Sequence, residues 1–96
     1  MFVVLLRFTE KKDRAGGLME AHQAWIKRGF DEGAFLLVGS LRPDLGGCLF
    51  AHGTSRDDLY AMVTNDPFVA EGVVTAEILE ITPSRAEERL SFLVDR

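Results

Sequence analysis

The sequence holds one cysteine, three prolines, no basic run longer than Lys11-Lys12, and no apolar stretch close to the length of a membrane span. Each scarcity excludes something. A lone Cys48 closes no internal disulfide, and beside His22 and His52 it offers neither the Cys-x-x-Cys nor the His-x-x-x-His spacing of a zinc site, so no metal is expected. No phosphate loop, dinucleotide fingerprint or Gly-x-Ser-x-Gly elbow occurs, so no cofactor is expected either. Eleven Lys and Arg against fifteen Asp and Glu give a net charge of -4, which cannot neutralise a row of phosphates, and nucleic acid is not an expected partner. The opening run Met1–Leu6 is far shorter than the roughly 20 apolar residues that cross a bilayer and too short for a signal-peptide core. No membrane partner and a cytoplasmic location are the expectation.

What remains is an ordinary globular composition, 47% hydrophobic and 27% charged over 96 residues, which suits a single domain spanning 1–96. A domain of this size buries only about 60 to 68% of its unfolded surface, so a second subunit would add stability. Phe2 to Phe8 is rich in Val, Leu and Phe and reads as a strand. After a polar turn at Thr9–Asp13, Leu18 to Phe30 has helical periodicity, with Gly33 as a stop signal. At about 100° per residue, Leu18, Met19, Ala21, Trp25, Ile26 and Phe30 share one broad side, with His22 and Gly29 in its middle. Glu20, Gln23, Lys27 and Asp31 fall opposite, so His22 points inward.

Ala34–Leu41 and Cys48–His52 read as a hairpin around the Arg42-to-Gly47 turn. Thr54 or Ser55 caps a second helix that runs to about Thr64, and Asp66-Pro67 starts a short third one. Val73–Ile81 is the last strand, and Ser84-x-x-Glu87 is a capping-box pattern opening a terminal helix or docking arm over 84–96. The order β-α-β-β-α-β predicts an α+β, ferredoxin-like antiparallel sheet with its helices on one face. Strict alternation sets Phe2, Val4, Leu6 and Phe8 against Val3 and Leu5, and Phe35 and Leu37 against Leu36 and Val38. Both sheet faces are therefore apolar, and two helices cover only one of them. A homodimer joined through the bare sheet face follows, unless the C-terminal arm folds back over it.

Few side chains can carry chemistry. His22 is the strongest acid/base candidate, although a lone histidine on an apolar helix face is more often a buried residue satisfied by its neighbours. Asp66 can orient it if the two meet; Asp before Pro at a helix start is equally a good N-cap. Gly39-Ser40 can present a hydroxyl or an amide at the strand end, and Arg7 can receive an anionic ligand, though pairing with Glu77 or Glu80 is its commoner fate. Cys48 has no neighbouring cation or helix start to activate it. His52 has no evident partner and reads as structural.

The ordered set of an apolar first strand, Arg14, helical His22, Glu32-Gly33, Gly39, Asp66-Pro67-Phe68 and Gly72 resembles the YCII-related family over roughly residues 1–83. The resemblance implies a dimeric α/β barrel of ferredoxin-like subunits and a histidine and aspartate active site, which here falls on His22 and Asp66. The reading it favours is a metal-independent enzyme acting on a small molecule, possessing a His22–Asp66 acid/base pair for elimination or isomerisation of a small, often cyclic, substrate. Phe8, Trp25, Ser40 and Phe68 would line the pocket between the first helix and the sheet, with Arg7 a further substrate-binding candidate. The alternative is a non-catalytic dimeric module that binds a small ligand or serves a partner protein. A site alone separates these two, since a fold does not.

Overall fold

A computed structural model of the chain describes residues 1–94. Strands β1 (Phe2–Phe8), β2 (Phe35–Leu41), β3 (Gly46–Ala51) and β4 (Val74–Glu80) form one sheet in the order β2-β3-β1-β4. Every neighbouring pair is antiparallel, as a βαββαβ chain requires. Helices α1 (Ala15–Asp31), α2 (Arg56–Thr64) and α3 (Pro67–Ala70) occupy the connections. Their Trp25, Leu59, Val63 and Phe68 share a core with Phe2, Val4, Leu6 and Leu49 from one sheet face. Each such side chain removed from water contributes about 1.5 to 3 kcal/mol. Among the described residues no helix is long and apolar enough to cross a membrane.

Several local departures from strict periodicity matter for the site. Helix α1 begins at Ala15, three residues before the apolar pattern, because a 3₁₀ turn over Lys12–Arg14 leads straight into it. Its buried stripe is narrower than the projection implies: Trp25 and Gly29 are buried, while Met19, Ala21 and Phe30 are exposed. Gly29 is required there, since a Cβ would sit 2.1 Å from the Phe35 ring on β2. Strand β2 carries a bulge between Phe35 and Leu37, so Phe35 pairs with Ala51, Leu37 with Phe50 and Val38 with Leu49. Phe35 and Leu37 therefore lie on opposite faces, which corrects the simple alternation, and Val38 and Ser40 turn to the helix-covered face with Phe35.

The other sheet face is apolar across its middle. Val3, Leu5, Phe50 and Cys48 lie across its middle in register, and Leu37 and Leu79 are 50% and 44% exposed on it. The C-terminal segment reaches only part of this face among the described residues, where it shares a cavity with Leu37 and Phe50. It forms a 3₁₀ turn over Glu88–Leu93 and lies against one end, beside Leu36, Leu37 and Phe50. Glu87 precedes that turn without a side-chain cap, so the capping box beginning at Ser84 does not form. The last two residues of the expected arm, Asp95 and Arg96, lie outside the described residues. His52, which the sequence leaves without a partner, meets the Phe92 ring edge-on at 5.5 Å.

Candidate active site

The site grows from two chain segments that the fold brings together at the end of the sheet. Helix α1 presents His22 one turn before Ile26 on its half-buried side. Asn65-Asp66-Pro67 ends α2 and starts α3, because Pro67 cannot continue the preceding helix yet suits the first turn of a new one. Asp66 is thereby fixed as the N-cap of α3, in extended backbone geometry, with Oδ1 accepting from the Phe68 amide at 3.1 Å. The same oxygen lies 2.7 Å from Nδ1 of His22. The cap and the pairing, which looked like competing roles, are held by one atom.

This geometry fixes the imidazole. An ionised carboxylate can only accept, so with Asp66 ionised the His22 contact is completed by Nδ1–H as donor, and the ring lone pair is left on Nε2. Phe68 stacks on the imidazole with ring centres 3.9 Å apart and planes 2° from parallel. Trp25 lies 6.0 Å away at 20° on the same helix, held by its own Nε1–H donated to the Met62 carbonyl at 2.9 Å. Asp66 is fully buried, whereas the His22 side chain keeps 12% of its surface open. A proton can reach the imidazole, but solvent does not reach the carboxylate. Among the described residues Asp66 Oδ2 is buried without a hydrogen-bond partner, so both donors that meet the carboxylate, His22 and the Phe68 amide, fall on Oδ1.

His22 opens into a cavity of about 450 Å³, within the range of small-molecule sites. Phe8, Trp25 and Phe68 form its aromatic walls, Leu6, Val38 and Leu49 its sheet floor, and Ser40 with Gln23 its polar rim. On this floor β3 has Gly47, which stands in register with both Leu6 and Ser40 and projects no side chain between them.

The YCII-related domain model matches residues 1–83, which is most of the chain and contains every residue of this cavity. The chain belongs to the YCII-related family. No curated protein sequence matches it. Among solved structures, the YCII-related fold seen here is similar to 5-chloro-2-hydroxyhydroquinone dehydrochlorinase from Burkholderia phenoliruptrix, solved in complex with 2,5-dihydroxybenzoquinone. The TM-score is 0.68 at 17% identity, over 85% of this chain and 94% of that one. That likeness carries the fold, a four-stranded antiparallel α+β sheet with its helices.

Within this YCII-related chain the sequence candidates separate cleanly. His22, Phe8, Trp25, Ser40 and Phe68 face one cavity, with Asp66 directly behind His22. Arg7 does not join them. It alternates to the other sheet face, where its guanidinium meets Glu77 at 2.6 Å, so its placement as a substrate-binding residue is corrected by the pleat of β1. Cys48 stands in register with Leu5, and burial pushes its thiol pKa up, which leaves it less thiolate at neutral pH than a free cysteine. Gln23 was placed on the far side of α1 but lines the cavity. It lies only about 40° around the helix from Met19, whose sulfur it reaches at 3.6 Å, and that spacing was the signal for it.

Proposed function

We propose that this protein is an enzyme of small organic molecules in which His22 is the general acid/base and Asp66 its positioning partner. The observation that carries this reading is the 2.7 Å Nδ1-to-Oδ1 contact, made by a buried carboxylate, on a ring whose other nitrogen is free at a cavity. In the proposed reaction Nε2 takes a proton from the substrate. The electron pair released either expels a leaving group from the neighbouring atom, an elimination, or moves within the substrate and is reprotonated by the imidazolium, an isomerisation. Asp66 stabilises the imidazolium formed between the two steps. Phe8, Trp25, Phe68 and Ser40 bind and orient the substrate. Elimination is supported by the chemistry named for the structural neighbour, a dehydrochlorinase whose bound compound is a hydroxylated quinone ring.

The test is Asp66→Asn, assayed by chloride release from 5-chloro-2-hydroxyhydroquinone. Asn keeps an oxygen to cap Phe68 and to accept from Nδ1–H, so the fold survives while the charge that holds the imidazolium is gone. We expect kcat to fall at least about tenfold with KM little changed. An unaltered kcat in a folded Asp66→Asn protein removes Asp66 from the mechanism.

We further propose that the apolar sheet face is the contact of a homodimer. Exposed Leu37 and Leu79, with Val3, Leu5 and Phe50 between them, make a patch that a soluble subunit does not leave in water. Light scattering should find twice the 10.7 kDa of one chain, and Leu79→Arg should shift it toward the single subunit. A wild-type species at 10.7 kDa refutes the pairing.

A further inference from the structure

The cavity beside His22 has an unusual electrostatic composition. Among the described residues no Lys, Arg, Asp or Glu lines it; His22 is its one group that can carry positive charge. That charge is already matched, because Asp66 lies against Nδ1. Outside the lining, Lys12 has its Nζ 5.3 Å from the centre of the Phe8 ring, and it is ion-paired to Asp44. A carboxylate or phosphate entering the cavity would therefore find one imidazolium already neutralised and no second cation. Charge taken out of water without a partner is strongly disfavoured.

What the cavity does offer is flat aromatic wall and neutral hydrogen-bonding groups. Phe8, Trp25 and Phe68 provide the surfaces for a planar ring. Nε2 of His22, the Ser40 hydroxyl and the Gln23 amide provide acceptors and donors at its edge. A cavity of about 150 Å³ already holds benzene, so the roughly 450 Å³ here accommodates one ring with several substituents.

From this we infer that the site takes an uncharged, planar, hydroxyl-bearing single ring and rejects the same ring bearing a carboxylate or phosphate. The inference rests on the reading of His22 as the group that faces substrate, and adds to it the substrate's charge and shape. Neutrality is selected by the absence of a counter-ion, ring shape by the aromatic walls, and hydroxyl substitution by the three polar groups at the edge.

The experiment compares matched ligands by titration calorimetry: benzene-1,4-diol with 2,5-dihydroxybenzoate, and benzene-1,2-diol with 3,4-dihydroxybenzoate. Quenching of Trp25, the sole tryptophan, places the ligand in the cavity. Each diol should bind at least about tenfold more tightly than its acid. Met19→Lys, at an exposed position on the cavity rim, supplies the missing cation and should narrow or reverse that ratio. An acid that binds the wild-type protein as well as its diol overturns the inference, as does the absence of binding by either diol up to about 10 mM. The two readings fail separately. Turnover that survives His22→Gln, with the diol preference intact, ends the proposed reaction and leaves the selectivity standing. Equal binding of diol and acid, with turnover still lost in His22→Gln, does the reverse.

Discussion

His22→Ala is expected to lower kcat by about 10² to 10⁴-fold, the usual contribution of a positioned general acid/base. It is also expected to lower stability, because removal of the ring deprives Asp66 of a donor in a fully buried position and leaves Phe68 without its stacked neighbour. Leaving a buried charged group short of a partner costs about 1 to 3 kcal/mol or more. The two effects separate in His22→Gln. Its longer amide can turn to donate to Oδ1 but brings no ring to stack on Phe68, so thermal unfolding should fall between His22→Ala and wild type, yet the amide cannot take a proton at neutral pH and turnover should fall as far as in His22→Ala. Turnover by the proposed reaction, read beside the melting temperature of each variant, checks both. A folded His22→Gln protein with wild-type turnover removes the imidazole from the chemistry.

Gly46→Ala is expected to produce the largest loss of stability among glycine substitutions. Gly46 has φ of +135°, a conformation that side-chain-bearing residues rarely adopt, and a Cβ there would lie 1.9 Å from the carbonyl oxygen of Leu6. The obstacle is backbone of the neighbouring central strand, which cannot rotate away as a side chain could. Backbone strain of about 1 to 3 kcal/mol and overpacking of similar size combine, so we expect about 3 kcal/mol or more to be lost. For a domain near this length that lowers the melting temperature by about 10 to 20 °C. Gly16→Ala is the control. It lies on the exposed first turn of α1 with nothing within 4 Å of the added Cβ, and should stabilise by about 0.5 to 1 kcal/mol. Calorimetric unfolding of both variants tests the contrast in sign. A Gly46→Ala protein that melts with wild type would mean that β1 and β3 can separate there freely.

Much of this arrangement is legible in the sequence, for physical reasons that differ from residue to residue. The strand and helix order follows from period-2 and period-3.6 apolar patterns bounded by Gly and Pro, and these signals are local. The inward direction of His22 follows from Leu18 and Ile26 one turn to either side. The bulge in β2 is not legible, because Leu36, Leu37 and Val38 are all apolar, and no alternation shows which of them is left over. That hidden residue decides whether Ser40 faces the cavity. The side taken by Arg7 is readable from its place between Leu6 and Phe8, but a single charged residue near a strand end does not announce whether it meets a ligand or Glu77. The meeting of His22 and Asp66 depends on how the chain passes from α2 to α3. Spacing permits it, resemblance to the family favours it, and only the tertiary structure brings the two side chains to 2.7 Å.

The shared oxygen of Asp66 has a consequence for how such a site changes over time. Because one atom both starts a four-residue helix and steers the imidazole, any alteration of Pro67 that tilts α3 also re-aims Nε2 without changing a residue of the cavity lining. In the proposed enzyme, drift toward new reactions is thereby channelled through the rim and sheet floor of the cavity. There Met19, Gln23 and Val38 can vary independently of the acid/base geometry.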